Sequence, residues 1–410
     1  MNVSRTPLAR HGQLSSPSGV GQLLKIVGVV LAVLLVSGAS VAAVVVTDLT
    51  RSFVNEAVDI GGDRELPPNL GALEGGFNLL LVGVDTCEEE YAHLFGERCT
   101  GPDAGGTLND VNILVHVSDA PRKITAISIP RDMMISHPSC VDENGNVFGA
   151  MTKQPLNAAW ARGGLACAAK TVGALTGQPI DFAAAVTFGG VIEITDAIGG
   201  VEVCVASRIR DWHTDLDLAA GTHTVSGELA LKFLRTRYGV GDGSDLGRIG
   251  NQQQYMTNLV RKLVSGEVLS DLPTLVNLAR TGLDNVTPST SLTNPLLVAQ
   301  MAMVIKDVPF EDIVFLQYPA SDDPDEPNKV VPNTYAADIL WDALAENKSL
   351  QITHVAGGND GVILEGDDEP DPTPGVGETE TPVDPDVVAL PNSIRGNSVA
   401  QTTCSNGRVN

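Results

Sequence analysis

The run Phe77-Asn-Leu-Leu-Leu-Val-Gly-Val84, followed directly by Asp85, sets the pattern on which the fold is built. It is rich in Leu and Val and is bounded by turn residues, which predicts a buried β-strand. Val111–Val117 and Lys123–Ile129 have the same character. These three runs therefore predict the first strands of a sheet.

The rest of this region alternates between strand-like and helix-like patterns. Further strands are predicted at Phe182–Phe188, Val201–Val205 and Ile313–Tyr318. Helices are predicted at Pro155–Thr176, Gly189–Ala197, Gly227–Leu234, Leu246–Val264, Leu272–Thr281, Pro295–Val304 and Thr334–Glu346. This alternation predicts an α/β fold, a layered α-β-α domain with a central mixed sheet over residues 77–355.

Leu231–Gln254 gathers three arginines in a chain whose formal net charge is −24. Arg235 and Arg237 are two residues apart, so on an extended backbone their side chains project from one face. The glycine-rich loop Gly239–Gly243 follows them and can fold this part of the chain against the next.

The second half of this stretch is predicted to be helical. Ser244 or Asp245 can cap a helix that begins near Leu246, on which Arg248 and Gln252 lie on one side. Three guanidiniums and an amide suit an anion with several oxygens, such as a phosphate or pyrophosphate. The alternative is three separate surface arginines, each paired with a local acid.

Charged residues also stand at the ends of the predicted strands, where open α/β sheets build their sites. Asp85 ends the first run, Asp110 precedes the second, and Arg131-Asp132 follows the third after Pro130. Pro130 cannot continue a central ladder, so the chain must leave the sheet there. Two carboxylates repel a pyrophosphate unless a cation such as Mg²⁺ bridges them. For Asp85 and Asp110 the alternative is the capping of a turn or helix.

Composition excludes several classes of function. Acidic residues outnumber basic ones by 50 to 26, which argues against a nucleic-acid partner. We find no zinc-type cysteine pairs, no Gly-Lys-Ser/Thr phosphate loop and no histidine pairs at metal spacing. Gly239–Gly243 lacks the spacing of a dinucleotide fingerprint.

The N-terminal region predicts a membrane anchor. Residues 1–25 hold Arg5, Arg10 and Lys25 and no acid, and Ile26–Val46 is 21 residues long without a charge. Such a run predicts a transmembrane helix with residues 1–25 in the cytoplasm. A linker at 47–76 and the rest of the chain then lie outside the cell. A signal peptide cleaved after Ser40-Val-Ala42 is the rival, but the apolar run is long for a signal core.

Six cysteines in an exported chain are expected to be oxidised and structural. Cys87 and Cys99 bracket a short acidic insertion, and Cys140 and Cys167 are plausible partners. Cys204 and Cys404 remain as a pair or as free thiols.

The C-terminal region, residues 356–410, is acidic and rich in proline. This composition predicts a disordered or loosely tethered tail. Whether Leu390-Pro-Asn-Ser-Ile-Arg395 and Cys404 dock onto the domain stays open at this point.

Several motifs of residues 77–350 resemble the LytR-CpsA-Psr family in kind and in order. They are Arg131-Asp132 after Ser-Ile-Pro, Asp196-Ala-Ile-Gly-Gly-Val201, Gly227-Glu-Leu-Ala230, Arg235-Thr-Arg237 and Asp245-Leu-Gly-Arg248. The resemblance implies a membrane-anchored phosphotransferase of the Gram-positive cell envelope. Such proteins take a glycopolymer from a polyprenyl-pyrophosphate carrier and join it through a phosphodiester, usually to peptidoglycan. The low lysine content, with abundant Ala, Gly and Val, is typical of a GC-rich actinobacterial source.

The resemblance also implies roles for single residues. Asp85 and Asp110 match the Mg²⁺-associated aspartates of the family. Apart from the resemblance, an acceptor hydroxyl needs a base, and Asp110 or Asp132 is a candidate, although a metal-bound aspartate is a poor base. The residues that match the pyrophosphate-holding groups are Arg131, Arg235, Arg237, Arg248 and Gln252. In this chain Cys87, Leu108, Pro155 and Asn251 stand where basic residues are common in the family.

Three functions are compatible with these features. They are the glycopolymer transferase, a hydrolase that uses water as the acceptor at the same site, and a non-catalytic protein that binds wall or lipid. A transcriptional role conflicts with the acidic charge and the predicted topology. The carrier lipid needs an apolar slot, which Phe182–Phe188 and Gly189–Ile198 can line unless they only pack in the core.

Overall fold

Two β-sheets form the frame of the computed structural model, which describes residues 54, 56–61, 75–101, 106–264, 272–354, 360–364 and 385–408. Their strands, in chain order, are β1 (Phe77–Val84), β2 (Asn109–Val117), β3 (Ile124–Ser128), β4 (Phe182–Thr187), β5 (Val201–Val205), β6 (Gly221–Val225), β7 (Val286–Pro288), β8 (Ile313–Gln317), β9 (Val362–Leu364), β10 (Gly396–Ser398) and β11 (Thr403–Ser405). The central sheet has seven strands in the order β7-β4-β1-β2-β3-β8-β10, and the smaller one has four in the order β6-β5-β11-β9.

Helices connect the strands. The longer ones are α1 (Gly164–Thr176), α2 (Phe188–Ala197), α3 (Gly227–Arg235), α4 (Asp245–Val264), α5 (Leu272–Asn285), α6 (Pro295–Lys306) and α7 (Thr334–Ala345). Short helical turns lie at Ala92–Phe95, Glu97–Thr100, Leu156–Arg162, Thr290–Thr293 and Phe310–Asp312. Two-stranded pairs join Met134–His137 to Met151–Pro155, Cys140–Val141 to Val147–Phe148, Ile209–Asp211 to Leu216–Leu218, Ala320–Asp322 to Val330–Pro332, and Ser349–Gln351 to Val387–Ala389.

Strand direction brings the predicted site residues to one edge of the central sheet. β2 runs antiparallel to both β1 and β3, while β4 is parallel to β1 and β8 is parallel to β3. The C-terminal ends of β1, β3, β4 and β8 therefore lie at the same edge as the start of β2. Asp85, Asp110 and Arg131 are adjacent to that edge for this reason.

Both faces of the central sheet are buried by helices, which makes the domain layered. On one face, residues such as Leu80 and Leu114 pack with Val172 of α1 and Leu340 of α7. On the other, residues such as Phe77 and Phe182 pack with Leu297 and Met301 of α6. The central mixed sheet predicted from the alternating pattern is confirmed.

The smaller sheet forms its own core with α3 and α4. Val201, Val203 and Val205 of β5 alternate inward and pack against Phe233 of α3 and Tyr255 of α4. Fully burying side chains of this size stabilises the fold by about 1.5–3 kcal/mol each. This packing fixes α3 and α4, and hence Leu231–Gln254, relative to the sheet edge.

Two predicted local structures are wrong. The helix expected over Pro155–Thr176 is divided, because Gly163 has φ 155° and begins α1 only at Gly164. A side chain at Gly163 would also meet the carbonyl of Val141 and the Cβ of Cys167. The extended backbone expected at Arg235 is instead the last turn of α3.

Three disulfides form: the two that were expected, Cys87–Cys99 and Cys140–Cys167, and a third, Cys204–Cys404. The third resolves the open choice for Cys204 and Cys404, and it ties β11 near the C-terminus to β5.

The expectation of a loosely tethered tail is wrong for residues 385–408. β10 completes an edge of the central sheet beside β8. Leu390, Ile394 and Val399 are buried in the cores on its two faces. The acidic, proline-rich composition belongs mainly to residues 356–384, whereas residues 385–408 hold a single acid, Asp386, and apolar side chains whose burial stabilises the segment.

No helix in the described part of the chain is long and apolar enough to cross a membrane. The predicted transmembrane segment Ile26–Val46 lies outside the described residues, as does most of the linker at 47–76.

Candidate active site

A cavity of about 460 Å³ lies between the edge of the central sheet and helices α2, α3 and α4. Most of its lining is apolar, and the apolar residues include Leu81, Ile113, Val191, Ile194, Leu234 and Met256. Of the two segments expected to line a lipid slot, Gly189–Ile198 contributes Val191, Ile194 and Ile198. Phe182–Phe188 contributes Val186 and Phe188, whereas Phe182 is buried in the core.

The polar side of the same cavity holds the predicted anion-binding groups. The groups come from four neighbouring places: Arg131 follows β3, Arg235 ends α3, Arg237 lies in the loop after α3, and Arg248 and Gln252 belong to α4. Asp110 lies on the same wall. Arg235, Arg237 and Arg248 border one cavity and are therefore not separate surface arginines, although Arg248 does pair with the local acid Asp245.

Arg235 is held by aromatic rings. Its guanidinium carbon lies 4.5 Å from the ring centre of Phe95 and 5.4 Å from that of Phe188. Among the described residues no carboxylate lies within ion-pair distance of it. Burial lowers the pKa of Arg235 from its ordinary value, although arginine stays charged at neutral pH. A desolvated guanidinium with its donors uncommitted is suited to bind an anion.

Arg248 is almost completely buried, with 7% of its surface exposed. Its Nη2 lies 2.7 Å from Asp245 Oδ1, one turn earlier on α4, while its buried Nε has no hydrogen-bond partner. Burial lowers the pKa of Arg248, and the Asp245 carboxylate opposes that shift. The unsatisfied N–H group marks a position where a ligand oxygen would be stabilised.

Arg131 is surrounded by carboxylates. Its Nη1 lies 2.9 Å from Asp110 Oδ2, and its Nε lies 3.6 Å from Asp132 Oδ2 and 3.7 Å from Asp245 Oδ1. Burial lowers the pKa of Arg131, but the three carboxylates together outweigh it and leave the pKa raised. Nε has no hydrogen-bond partner, so this arginine also retains a donor for a ligand.

Arg237 lies in the loop that joins α3 to α4. Its Nε donates to the Gly243 carbonyl at 3.1 Å. Ser244 accepts a hydrogen bond from Gly247 N at 3.3 Å, which caps the start of α4. The expected cap is therefore confirmed for Ser244.

Gln252 and Asn251 serve to attach α4 to α3. Gln252 Nε2 donates to the Leu234 carbonyl at 2.9 Å, and Asn251 Nδ2 donates to the Phe233 carbonyl at 2.8 Å. Gln252 also borders the cavity, whereas Asn251 is buried away from it. Asn251, one of the positions where the resemblance implied a basic residue, thus makes a helix-to-helix contact.

Asp85 is fully engaged by the protein. Its Oδ1 accepts from Leu108 N at 2.6 Å, and its Oδ2 accepts from Arg98 Nη2 at 2.8 Å and Arg98 Nε at 3.2 Å. Arg98 was not predicted as a site residue. The one signal for it was its position next to Cys99, whose disulfide to Cys87 returns this segment to the end of β1.

Asp132 faces away from the cavity. Its Oδ1 lies 2.6 Å from Lys329 Nζ, and it is not among the cavity-lining residues. Its contact with the site passes through Arg131.

The fit of a divalent cation rests mainly on Asp110. Its buried Oδ1 has no hydrogen-bond partner, while its Oδ2 binds Arg131. No cluster of three or more His, Cys, Asp or Glu suited to a metal is present among the described residues. One open carboxylate oxygen still fits Mg²⁺, which binds through one or two carboxylates plus substrate phosphates.

Known proteins are similar to this chain in sequence and in fold. The cell wall biosynthesis protein LcpA of Corynebacterium glutamicum is 29% identical over 313 residues, 70% of this chain and 58% of that protein. The chain thus spans little more than half the length of this relative. The polyisoprenyl-teichoic acid–peptidoglycan teichoic acid transferase TagT of Bacillus subtilis is 25% identical over 294 residues, 70% of this chain and 83% of that protein.

A crystal structure of a Streptococcus agalactiae protein shares the fold, with a TM-score of 0.52 at 23% identity over 66% of this chain and 87% of that one. The model of the LytR_cpsA_psr family matches residues 43–349. This match includes the sheet edge, the arginines and the cavity. The chain therefore belongs to the LytR-CpsA-Psr family.

Proposed function

We propose that this protein is a phosphotransferase that moves a glycopolymer from a polyprenyl-pyrophosphate carrier to peptidoglycan. The observation that carries the proposal is that one cavity is lined both by many apolar residues and by a group of arginines. A lipid pyrophosphate has the same two parts, a long apolar chain and a compact anion. The named activity of the relative TagT supports the same conclusion.

In the proposed reaction an acceptor hydroxyl attacks the phosphorus that bears the glycan. The bond from that phosphorus to the bridging oxygen breaks, and polyprenyl phosphate leaves with the electron pair. The product is a phosphodiester between glycan and acceptor. The hydroxyl proton ends on an oxygen of the leaving phosphate or in solvent.

The protein contributes positioning and charge. The Nε groups of Arg131 and Arg248, together with the guanidinium of Arg235, bind pyrophosphate oxygens, and Arg237 and Gln252 border the same space. Charge that develops on the bridging oxygen is stabilised by donors already in place. Phosphoryl transfer through a loose transition state needs little more from the enzyme.

We propose Mg²⁺ as the cofactor, held by Asp110 with Asp85 beside it. When bound, the ion would neutralise part of the pyrophosphate charge. Asp132 is better suited to orient Arg131 than to act as a base, since Lys329 holds its Oδ1.

The cellular setting follows from the substrate. We propose a single membrane anchor at Ile26–Val46, with the catalytic domain outside the cell and near the bilayer lipid that contains the carrier. The acidic composition supports a function without nucleic acid.

The decisive experiment incubates the full chain with a polyprenyl-pyrophosphate glycan, Mg²⁺ and peptidoglycan fragments. We expect a glycan–peptidoglycan phosphodiester, detected by mass spectrometry. Arg235→Ala should lower its rate on the order of 100- to 1,000-fold, the cost of removing one preorganised donor. Arg280→Ala, an exposed arginine of α5 paired only weakly with Asp284 at 3.9 Å, is the matched control.

Two results would contradict the proposal. Free phosphorylated glycan as the sole product would assign a hydrolase. Lipid binding without turnover would assign a non-catalytic binding protein.

A further inference from the structure

An aromatic surface adjoins the cavity through His213 and Tyr238, with Trp212 stacked on His213 outside the cavity lining. Trp212 is 80% exposed and Tyr238 is 41% exposed. The ring of His213 stacks on Trp212 with centres 3.5 Å apart and lies 4.3 Å from the ring of Tyr238. We call these three residues the aromatic platform.

The platform is continuous with the proposed anion site. His213 and Tyr238 border the same cavity as Arg237 and Arg248. Tyr238 directly follows Arg237, whose guanidinium carbon lies 5.5 Å from the tyrosine ring centre. A ligand whose anionic group binds the arginines therefore extends next over aromatic rings.

The platform is held in place by one buried carboxylate. Asp211 Oδ1 accepts from His213 N at 2.9 Å, and Asp211 Oδ2 accepts from Tyr238 N at 3.1 Å and Arg237 N at 3.0 Å. Trp212 lies in the turn between Ile209–Asp211 and Leu216–Leu218. The aromatic rings and the arginine loop thus keep a fixed relative position, which reduces the entropy lost on binding.

The chemical character of the aromatic platform indicates what kind of ligand it binds. A stacked set of rings with polar edges offers a flat apolar face and hydrogen-bonding groups at its rim. A sugar ring is complementary to this, because one of its faces carries C–H groups and its edge carries hydroxyls. A grouped aromatic surface exposed beside a pocket is typical of a binding site, unlike single scattered apolar residues.

We propose that the aromatic platform binds the sugar ring attached to the pyrophosphate of the donor. This deepens the proposed transfer reaction and rests on it. Tyr238 is adjacent to Arg237 in both sequence and space. The sugar ring attached directly to the pyrophosphate is therefore the one that can reach the platform. The platform would contribute to the choice of donor glycan, whereas the arginines bind any lipid pyrophosphate.

The test compares two ligands on the same protein. The first is a polyprenyl pyrophosphate that carries a disaccharide, and the second is the same lipid pyrophosphate without sugar. Trp212→Ala should weaken binding of the first roughly three- to tenfold and leave the second unchanged. Trp212→Tyr, which keeps an aromatic face, should restore most of the affinity.

Tyr335→Ala is the matched control, since Tyr335 of α7 is 73% exposed and does not border the cavity. Intrinsic fluorescence gives a second readout. Trp212 is one of three tryptophans, and the sugar-bearing ligand should shift the emission of the wild type but not of Trp212→Ala.

Three outcomes would overturn the proposal. Unchanged affinity for both ligands would exclude a contact with the sugar. Equal weakening of both would show that Trp212 acts on the lipid or on the fold. An effect on the KM of the peptidoglycan acceptor alone would assign the platform to the acceptor. A failure of the proposed function would look different from these three outcomes. In that case the wild-type protein would not bind even the sugar-free lipid pyrophosphate.

Discussion

The arginines of the cavity illustrate how single residues are prepared for an anion. Arg248 is buried with one nearby carboxylate, and Arg235 is buried against aromatic rings. Removing a guanidinium from water is costly unless charges and hydrogen bonds compensate it. For both arginines the compensation is partial, and burial lowers the pKa of each guanidinium. An incoming phosphate oxygen would complete the missing contacts, so the binding of substrate is expected to stabilise the domain.

Asp110 and Asp132 both contact Arg131, yet they should respond differently to mutation. We expect Asp110→Asn to lower the rate of transfer on the order of 100-fold, because it removes the carboxylate charge that would hold Mg²⁺ beside the pyrophosphate. Asp132→Asn should cost less than about fivefold, the size of a partly exposed ion pair. The measurement is kcat/KM as a function of Mg²⁺ concentration, and only Asp110→Asn should raise the Mg²⁺ requirement. Equal losses in the two variants would contradict this assignment.

Among the elements, the insertion between Cys87 and Cys99 closes one side of the site. Glu88 accepts hydrogen bonds from Gly189 N at 2.7 Å and from Thr187 Oγ1 at 2.8 Å, at the start of α2. A Cβ at Gly189 would overlap this segment, so the glycine permits the close approach. The same insertion supplies Phe95 beneath Arg235 and Arg98 beside Asp85.

Opening this insertion should separate its structural and chemical roles. We expect Cys87→Ser/Cys99→Ser to lower the free energy of unfolding by about 2–3 kcal/mol, since a short loop is no longer closed. Arg98→Ala should lower the free energy of unfolding by about 1–3 kcal/mol, because the buried Asp85 loses its charged partner. It should also raise the KM for the donor roughly tenfold, an effect that the disulfide variant should not show, because the uncompensated Asp85 charge repels the pyrophosphate. Thermal unfolding and steady-state kinetics measure the two effects. An unchanged donor KM in Arg98→Ala would remove Arg98 from the site.

A second junction between elements depends on Asp211, which joins the Ile209–Asp211 strand to the loop after α3. Burial raises the pKa of this carboxyl, but hydrogen bonds from Thr236 and from three backbone N–H groups outweigh it and leave the pKa lowered. Because the pKa of Asp211 is lower in the folded state, the stabilisation from its ionised carboxylate is fully present at pH values above the ordinary pKa of about 3.9. It is lost as the pH falls through the lower folded value.

We therefore expect Asp211→Asn to destabilise the protein by about 1–3 kcal/mol at neutral pH. The difference from wild type should shrink below about pH 4 as Asp211 becomes protonated. Thermal unfolding of both proteins between neutral and acidic pH checks this. A difference that persists at low pH would show that charge is not the cause.

At the scale of the whole molecule, the C-terminal segment completes the domain. The disulfide from Cys404 to Cys204 closes a separation of 200 residues. Gly241 N donates to the Asn406 carbonyl at 3.2 Å, so residues near the C-terminus also support the loop between Arg237 and Arg248. Truncation before this segment should therefore affect the site as well as stability.

Ile394 tests the structural part of this closure. It is fully buried in the same core as Leu80 and Leu114, so Ile394→Ala should cost about 2–5 kcal/mol of unfolding free energy. Val147→Ala, at a residue that is 74% exposed, should change stability by less than about 0.5 kcal/mol. Chemical denaturation measures both. A small loss at Ile394 would mean that the segment adds little to the core.

Much of the fold was predictable because its strands and helices carry strong local patterns. Val201–Val205 was predicted with its observed bounds, and α4 begins one residue before the expected Leu246. The hairpins before α1 and before α3 were not predicted, since their short strands are stabilised mainly by tertiary contacts. The expected arginine cluster formed because its members lie at strand and helix ends that the sheet topology brings to one edge.

The sequence by itself determined the order and type of most elements, the disulfide partners that were favoured, and the charged residues at the strand ends. These features depend on hydrophobic period, turn residues and spacing, which are local. Only the tertiary structure decided that Arg98 pairs with Asp85, that Asp211 links the platform to the arginines, and that residues 385–408 enter the core. Those contacts join residues far apart in the chain, and their geometry depends on how whole elements pack rather than on any local pattern.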